Sequence, residues 1–326
     1  MIGQRMFGRA SPLLWTIVCL FGALAIGTLV RTWMLRGHSN AASQLHFKSA
    51  TTWWVLAFVL ACSLLCGNVG VAILLMTAGI LSMREFLRIV GWKLVGGPTA
   101  CAVFALIPLY YVILLYGYEE NLRSAAPFVF LFVIGSLRAV LGLVQDYVRT
   151  TAAVVWGLML FVFCLSHAYL LMTLQRQPEP WVGMAGWFLY LVLLTESNDI
   201  AQALVGRRFG RHKISPHISP NKTMEGLFGG IAVTICLAVI LAFWLTNWMQ
   251  KGTLTSGILL SVLSGLLISI CGFLGDINKS GIKRDAGIKD SGSILPGQGG
   301  AVDRIDSLTF SAPAFFYFVQ SISPDS

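Results

Sequence analysis

The chain has 326 residues, 56% hydrophobic and only 11% charged, with a mean hydropathy of +0.76. An average soluble domain carries about 25% charged residues, so too few charges remain to disperse a globule of this size. Soluble enzyme, disordered regulator and fibrous protein are excluded, which leaves an all-α polytopic integral membrane protein. The formal net charge of +9 would suggest nucleic acid in a soluble protein. In a membrane protein it reads as Lys and Arg holding loops on the cytoplasmic side, and no nucleic-acid partner is expected.

Apolar runs that suit a bilayer crossing are predicted near 13–32, 53–82, 98–116, 126–144, 152–172, 183–204, 226–245, 254–275 and 307–322. The first, Leu13 to Val30, is too long for a signal-peptide core and no small-residue cleavage site follows it. The second is interrupted at Gly67-Asn68 and is either one tilted helix or two short ones. The last is short and contains Pro313. Nine spans result, or ten if the second run breaks. The chain divides into an N-terminal region of about five spans, 1–182, and a C-terminal transmembrane region, 183–326, with loops 205–225 and 276–306; from the motifs in those loops, the second region is expected to be the catalytic part. All seven cysteines fall in apolar runs without a C-x-x-C pair and are expected to be small buried hydrophobes.

Charge tests the orientation. With nine spans and a cytoplasmic N-terminus, sixteen Lys and Arg fall on the cytoplasmic side and six opposite, with Arg138 inside a span. That bias supports the assignment. Loops 205–225 and 276–306 hold ten of the sixteen, and eight of the fourteen acids lie between 196 and 306. Positive-inside bias explains the bases but gives no reason for five aspartates in 276–306.

The last loop runs from Asp276 through Ser280, Lys283-Arg284 and Lys289-Asp290, then a glycine-rich stretch, to Asp303-Arg304-Ile305-Asp306. Asp303 and Asp306 share one face if the last helix begins there. Two convergent carboxylates suit a hard cation, Mg²⁺ being the usual one beside phosphates, and Asp276 stands at the right depth for a third ligand. Lys283, Arg284 and Lys289 supply the positive charge that phosphate oxygens need, and the glycines let backbone N–H groups approach. These parts describe phosphoryl or nucleotidyl transfer. Solvated loop charges that pair with one another form the competing account, and D-x-x-D alone is a weak signal.

The earlier loop carries Glu196, Asn198-Asp199, Arg207-Arg208, Ser219, Lys222, Thr223 and Glu225. Asn198 and Asp199 sit in an apolar run and so need partners or a polar cavity. The arginines could hold an anionic headgroup or simply anchor the loop. Ser219-Pro220, Thr223 and Glu225 have the pattern of a helix start.

At this point the sequence resembles the phosphatidate cytidylyltransferase (CDP-diacylglycerol synthase) family. The resemblance rests on Ser280, Lys283-Arg284, Lys289-Asp290, Gly292, Leu295-Pro296, Gly299-Gly300 and Asp303-Arg304-Ile305-Asp306, at that family's spacing, with the 198–226 loop similar as well. It covers about 198–308. Gln298 stands where the family has histidine, and glutamine hydrogen-bonds but does not titrate. The resemblance implies that CTP and phosphatidate give CDP-diacylglycerol and pyrophosphate. Asp276, Asp303 and Asp306 would then hold Mg²⁺, while Lys283, Arg284, Lys289 and Asp290 serve the CTP phosphates. Asn198, Asp199, Arg207, Arg208, Ser219, Lys222 and Thr223 would form a facing lipid-phosphate wall, with Ser280, Gln298 and Arg304 also at the substrates. It further implies a bacterial inner-membrane protein with a cytoplasmic-facing site, and a homodimer is carried with it. Alternatives are a CTP-dependent enzyme of another lipid, a transporter built around Arg138, His167, Glu196 and Asp199, and a silent homologue, for which Gln298 is the motive.

Overall fold

A computed structural model gives the fold and describes residues 2–34, 40–117, 119–174, 181–250, 253–288, 291–292 and 299–322. In chain order the first half forms α1 (Ile2–Met34), α2 (Asn40–Leu65), α3 (Gly67–Val90), the short α4 (Trp92–Val95), α5 (Gly97–Leu115), α6 (Glu119–Val140) and α7 (Tyr147–Leu158). A π-helical turn, Met159–Cys164, joins α7 to α8 (Leu165–Leu170). The second half forms α9 (Ala185–Phe209), a hairpin of β1 (Lys213–Ser215) and β2 (Ser219–Thr223), α10 (Met224–Leu245), α11 (Leu254–Asp285) and α12 (Val302–Ile322). Helices dominate because each satisfies its own backbone polar groups, which lipid cannot do.

Seven helical segments among the described residues are long and apolar enough to cross a membrane. The chain is a multi-pass membrane protein. Helices α9 and α12 are not among the seven, because they carry the polar residues of the site. The outer surface is apolar, with Trp15, Leu29, Phe58, Phe128 and Phe228 all exposed. Expectation and structure differ over the cysteines: all seven are free, but five are exposed and two half-exposed. Lipid takes the place of a core for side chains that face outward.

The second apolar run breaks at Cys66, and Gly67 adopts φ +67°, where a Cβ would be strained. Trp53 of α2 lies 6.0 Å beneath the Arg304 guanidinium at the start of α12. Glu85, near the end of α3, accepts hydrogen bonds from the same start of α12. So α2 and α3 run antiparallel about this turn, and the second apolar run is two helices and not one tilted helix. Arg138, fully buried, donates to the carbonyls of Leu94 and Val95 at 3.1 and 2.9 Å and so holds the end of α4.

The C-terminal bundle is held by small residues. Gly226, Gly230, Thr234, Ala238 and Ala242 are buried at every fourth position of α10. A Cβ on Gly230 would collide with Gln202 and Asn198 of α9, and one on Gly265 with Ala238. Close backbone approach of this kind drives helix association in lipid. A cluster of Trp187, Tyr190, Trp248 and Phe315 closes the end away from the charges.

Two boundaries differ from expectation. Residues 276–285, read as loop, continue α11 as helix. Residues 205–225 are part helix, part antiparallel hairpin, so the all-α fold carries two short strands.

Candidate functional site

The charged residues gather where α9 ends, α10 begins, α11 ends and α12 begins. Because α11 runs through to Asp285, Asp276, Lys279 and Lys283 succeed one another at helical spacing and share a face. Asp303 and Asp306 occupy the first turns of α12. Gly275 permits the approach: a Cβ there would collide with the Asp306 carbonyl.

Lys279 is the centre of the cluster. Its ammonium lies 3.0 Å from Asp276 Oδ1 and 3.6 Å from Asp303 Oδ1, and also contacts Asp306 Oδ2. Lys283 Nζ donates to Asp303 Oδ1 at 3.0 Å. Lys222, from the end of β2, reaches Asp276 Oδ2 at 2.5 Å and Gln202 Oε1 at 3.2 Å. Its ammonium also lies 5.7 Å from the Phe273 ring centre. Asp199 Oδ2 accepts from Ser307 at 2.7 Å, leaving Oδ1 buried without a partner. Burial alone would raise the Asp303 carboxyl; Lys279, the Gly300 N–H and Lys283 outweigh it and hold the group below the usual carboxylate range.

The other sequence candidates fall into three groups. Lys289, Asp290 and Gln298 lie outside the described residues. Asn198, Thr223 and Arg284 are engaged elsewhere. The buried Asn198 Oδ1 accepts from Ser269 at 2.6 Å and Thr234 at 3.3 Å, which ties α9 to α10 and α11. Thr223 caps α10 by accepting from Gly226 N at 3.1 Å, as the helix-start pattern predicts. Arg284 Nε donates to the Ile218 carbonyl at 3.2 Å, pinning the hairpin. Arg207 is exposed and donates to Ala203 O of its own helix at 3.0 Å. The third group makes no such side-chain bond among the described residues. Ser280 and Arg304 are half-buried, with Arg304 Nε unpartnered. Ser219 is half-buried on β2. Arg208 lines an open groove with Phe209, Arg211, His212 and Glu225. Glu225 braces that groove by accepting from the backbone of Arg211 and His212 and from His212 Nδ1 at 2.6 Å.

Sequence reasoning missed Lys279, Gln202, Ser307 and Glu85 as site residues. For Lys279 the signal was present: D-x-x-K-x-x-x-K is a helical face, hidden when 276–306 is read as loop.

Three carboxylates from two helices meeting at one positive charge suit a divalent cation in donor chemistry. Among the described residues, however, no three His, Cys, Asp or Glu side chains are grouped as a ready metal cage. The aspartates meet at the Lys279 ammonium, a mobile charge on a flexible stem.

Fold and cluster together define a polytopic membrane protein with a dense charge-paired site at one end of its C-terminal helices. Comparison with known proteins takes the assignment one step further. The cytidylyltransferase family profile matches residues 47–322, and the chain belongs to that family. It is 42% identical over 216 residues to the uncharacterized protein YnbB of Escherichia coli strain K12, covering 66% of this chain and 68% of that one. It is 38% identical over 140 residues to the phosphatidate cytidylyltransferase of Haemophilus influenzae, 43% of this chain and 47% of the relative. It is 42% identical over 126 residues to the enzyme of that name from Synechocystis, 39% and 40% of the two chains. The chain thus spans less than half the length of these two named enzymes.

Proposed function

We propose that the protein transfers the cytidylyl group of CTP to phosphatidate, forming CDP-diacylglycerol and releasing pyrophosphate. The observation that carries this is the convergence of Asp276, Asp303 and Asp306 with Lys222, Lys279 and Lys283 at a membrane-helix end. Family membership and the similarity to proteins named phosphatidate cytidylyltransferase support it.

The phosphatidate phosphate oxygen attacks the α-phosphorus of CTP, and the bond to the β-phosphate oxygen breaks. This chemistry asks the protein chiefly for positioning and charge neutralisation. Lys283 and Lys279 stand where phosphate oxygens can take over their bonds from the aspartates. The family resemblance would add Lys289, Asp290 and the part of the Arg284 guanidinium not bonded to Ile218 to the CTP side, and Ser280, Gln298 and Arg304 to the substrates. Arg208 and its groove face the lipid phosphate. Asp276, Asp303 and Asp306 would hold Mg²⁺, which supplies Lewis-acid neutralisation of the pyrophosphate leaving group. Lys279 would meet phosphate oxygens in place of its carboxylate partners. The basic residues around α9, β1 and α11 support a cytoplasmic orientation, and the bacterial sources of the similar proteins favour a bacterial inner membrane.

The test is direct. Purified protein incubated with α-labelled CTP, phosphatidate and Mg²⁺ should place label in a lipid that comigrates with CDP-diacylglycerol. Label that stays in CTP sinks the proposal. A parallel incubation with γ-labelled CTP that labels the lipid while α-labelled CTP does not would assign a lipid kinase instead.

A further inference from the structure

Glu85 lies outside the C-terminal site motifs, on α3, yet ends against the site. It is only 1% exposed. Its Oε1 accepts from the N–H of Ala301 at 2.9 Å and its Oε2 from the N–H of Val302 at 3.0 Å. These are among the donors that a helix start leaves without intrahelical partners. A carboxylate at this position both satisfies them and lies at the positive end of the α12 dipole. Glu85 is therefore an N-cap supplied from another helix.

The contact extends to a site aspartate. The Ser291 hydroxyl lies 2.8 Å from Asp303 Oδ2 and 3.3 Å from Glu85 Oε2. Gly300 N also donates to Asp303 Oδ2, at 3.1 Å. Asp303 thus has one oxygen fixed by Ser291 and Gly300, leaving Oδ1 to face Lys279 and Lys283. Both glycines beside Glu85 are needed for the carboxylate to seat. A Cβ on Gly292 would fall 2.5 Å from Oε1, and one on Gly300 2.6 Å from the same atom. Small residues at these two positions of the loop thereby acquire a physical reason.

We propose that Glu85 is a positioning residue: it clamps the start of α12 and, with Ser291, aims Asp303 at the lysines. Its catalytic consequence rests on the proposed cytidylyl transfer; the clamp itself does not. The N-terminal helices are then part of the active-site framework and not merely a membrane anchor.

The experiment compares wild type with Glu85→Gln, Glu85→Ala and Gly300→Ala as full-length purified proteins. Hydrogen exchange of the segment 299–306 and steady-state kinetics are both measured. Glu85→Ala should speed exchange in 299–306 while the α10 segment 226–245 is unchanged. It should lower kcat about 10- to 100-fold, the usual cost of losing a residue that orients a ligand, and raise the Mg²⁺ concentration for half-maximal rate. KM for phosphatidate should hold. Glu85→Gln, which keeps one acceptor, should fall between, and Gly300→Ala should reproduce the alanine effect. Unchanged exchange in 299–306 overturns the clamp. A lowered melting temperature with kcat per folded molecule unchanged overturns the positioning role. Should wild type itself form no CDP-lipid, the cytidylyl-transfer proposal fails, and the exchange arm alone decides the clamp.

Discussion

Lys222, at the end of β2, holds Asp276 of α11 with Nζ 2.5 Å from Oδ2. This pair joins the two polar segments that lie more than fifty residues apart in sequence. It is half-sequestered, with side-chain exposures of 19% and 18%. Pairs at this depth are screened less than surface pairs, and losing one partner leaves a poorly solvated charge. Lys222→Met is expected to cut CDP-lipid formation about 10-fold or more, as an orienting contact does. Combined with Asp276→Asn, the loss should be far from additive. A double-mutant cycle on kcat/KM checks this; additive losses would show that the two residues work separately.

Asp303 is the aspartate whose surroundings are best defined, with Ser291 and Gly300 on one oxygen and two lysines on the other. Asp303→Asn keeps the shape but removes the charge that a cation or the lysines meet. Turnover should fall at least about 100-fold, the scale of removing one electrostatic contact made in a transition state. Expression and melting behaviour should persist. Near-normal CDP-lipid synthesis would contradict any role for this aspartate in the reaction.

Asn198 gives the opposite profile. Its Oδ1 serves Ser269 and Thr234 inside the helix bundle, and it is fully buried. Asn198→Ala leaves two hydroxyls without their acceptor, at a cost of about 1–3 kcal/mol. The expected result is a lower melting temperature with KM for phosphatidate unchanged. A raised KM at unchanged stability would return Asn198 to the lipid wall.

Much of this architecture is legible in the residues, and the exceptions have identifiable causes. Scarce charge marks the membrane class, and the D-x-x-D spacing places Asp303 and Asp306 on one face of α12. The end of α11 escapes prediction because an apolar-run criterion stops at Gly275, whereas the backbone hydrogen bonding continues to Asp285. Lys279 is missed for the same reason: in a loop it is one base among several, and on a helix it points between the aspartates. Glu85 leaves no local signal, since its partners lie more than two hundred residues away. Asn198 is legible as a buried polar residue that needs partners, but not whether those partners are protein or ligand.

Gln298 leads to a prediction about pH. Proteins of the family this chain resembles carry histidine at that place, and histidine changes charge near pH 6.5 in ordinary surroundings. Glutamine has both a donor and an acceptor but no titration between pH 5 and 8. Among the described residues, the aspartates around Lys279 pair with Lys222, Lys279 and Lys283. Wild type should therefore be active, and its kcat should show no limb near pH 6.5 arising from this position. Gln298→His should introduce such a limb, with the rate changing as the imidazole gains its proton below about pH 6.5. Profiles of kcat from pH 5.5 to 8.5 for both proteins decide the matter. Superimposable profiles would mean that residue 298 touches neither substrate in the rate-determining state. A wild type that is silent until histidine is restored would mean that proton transfer at this position is required, and that this chain has lost it.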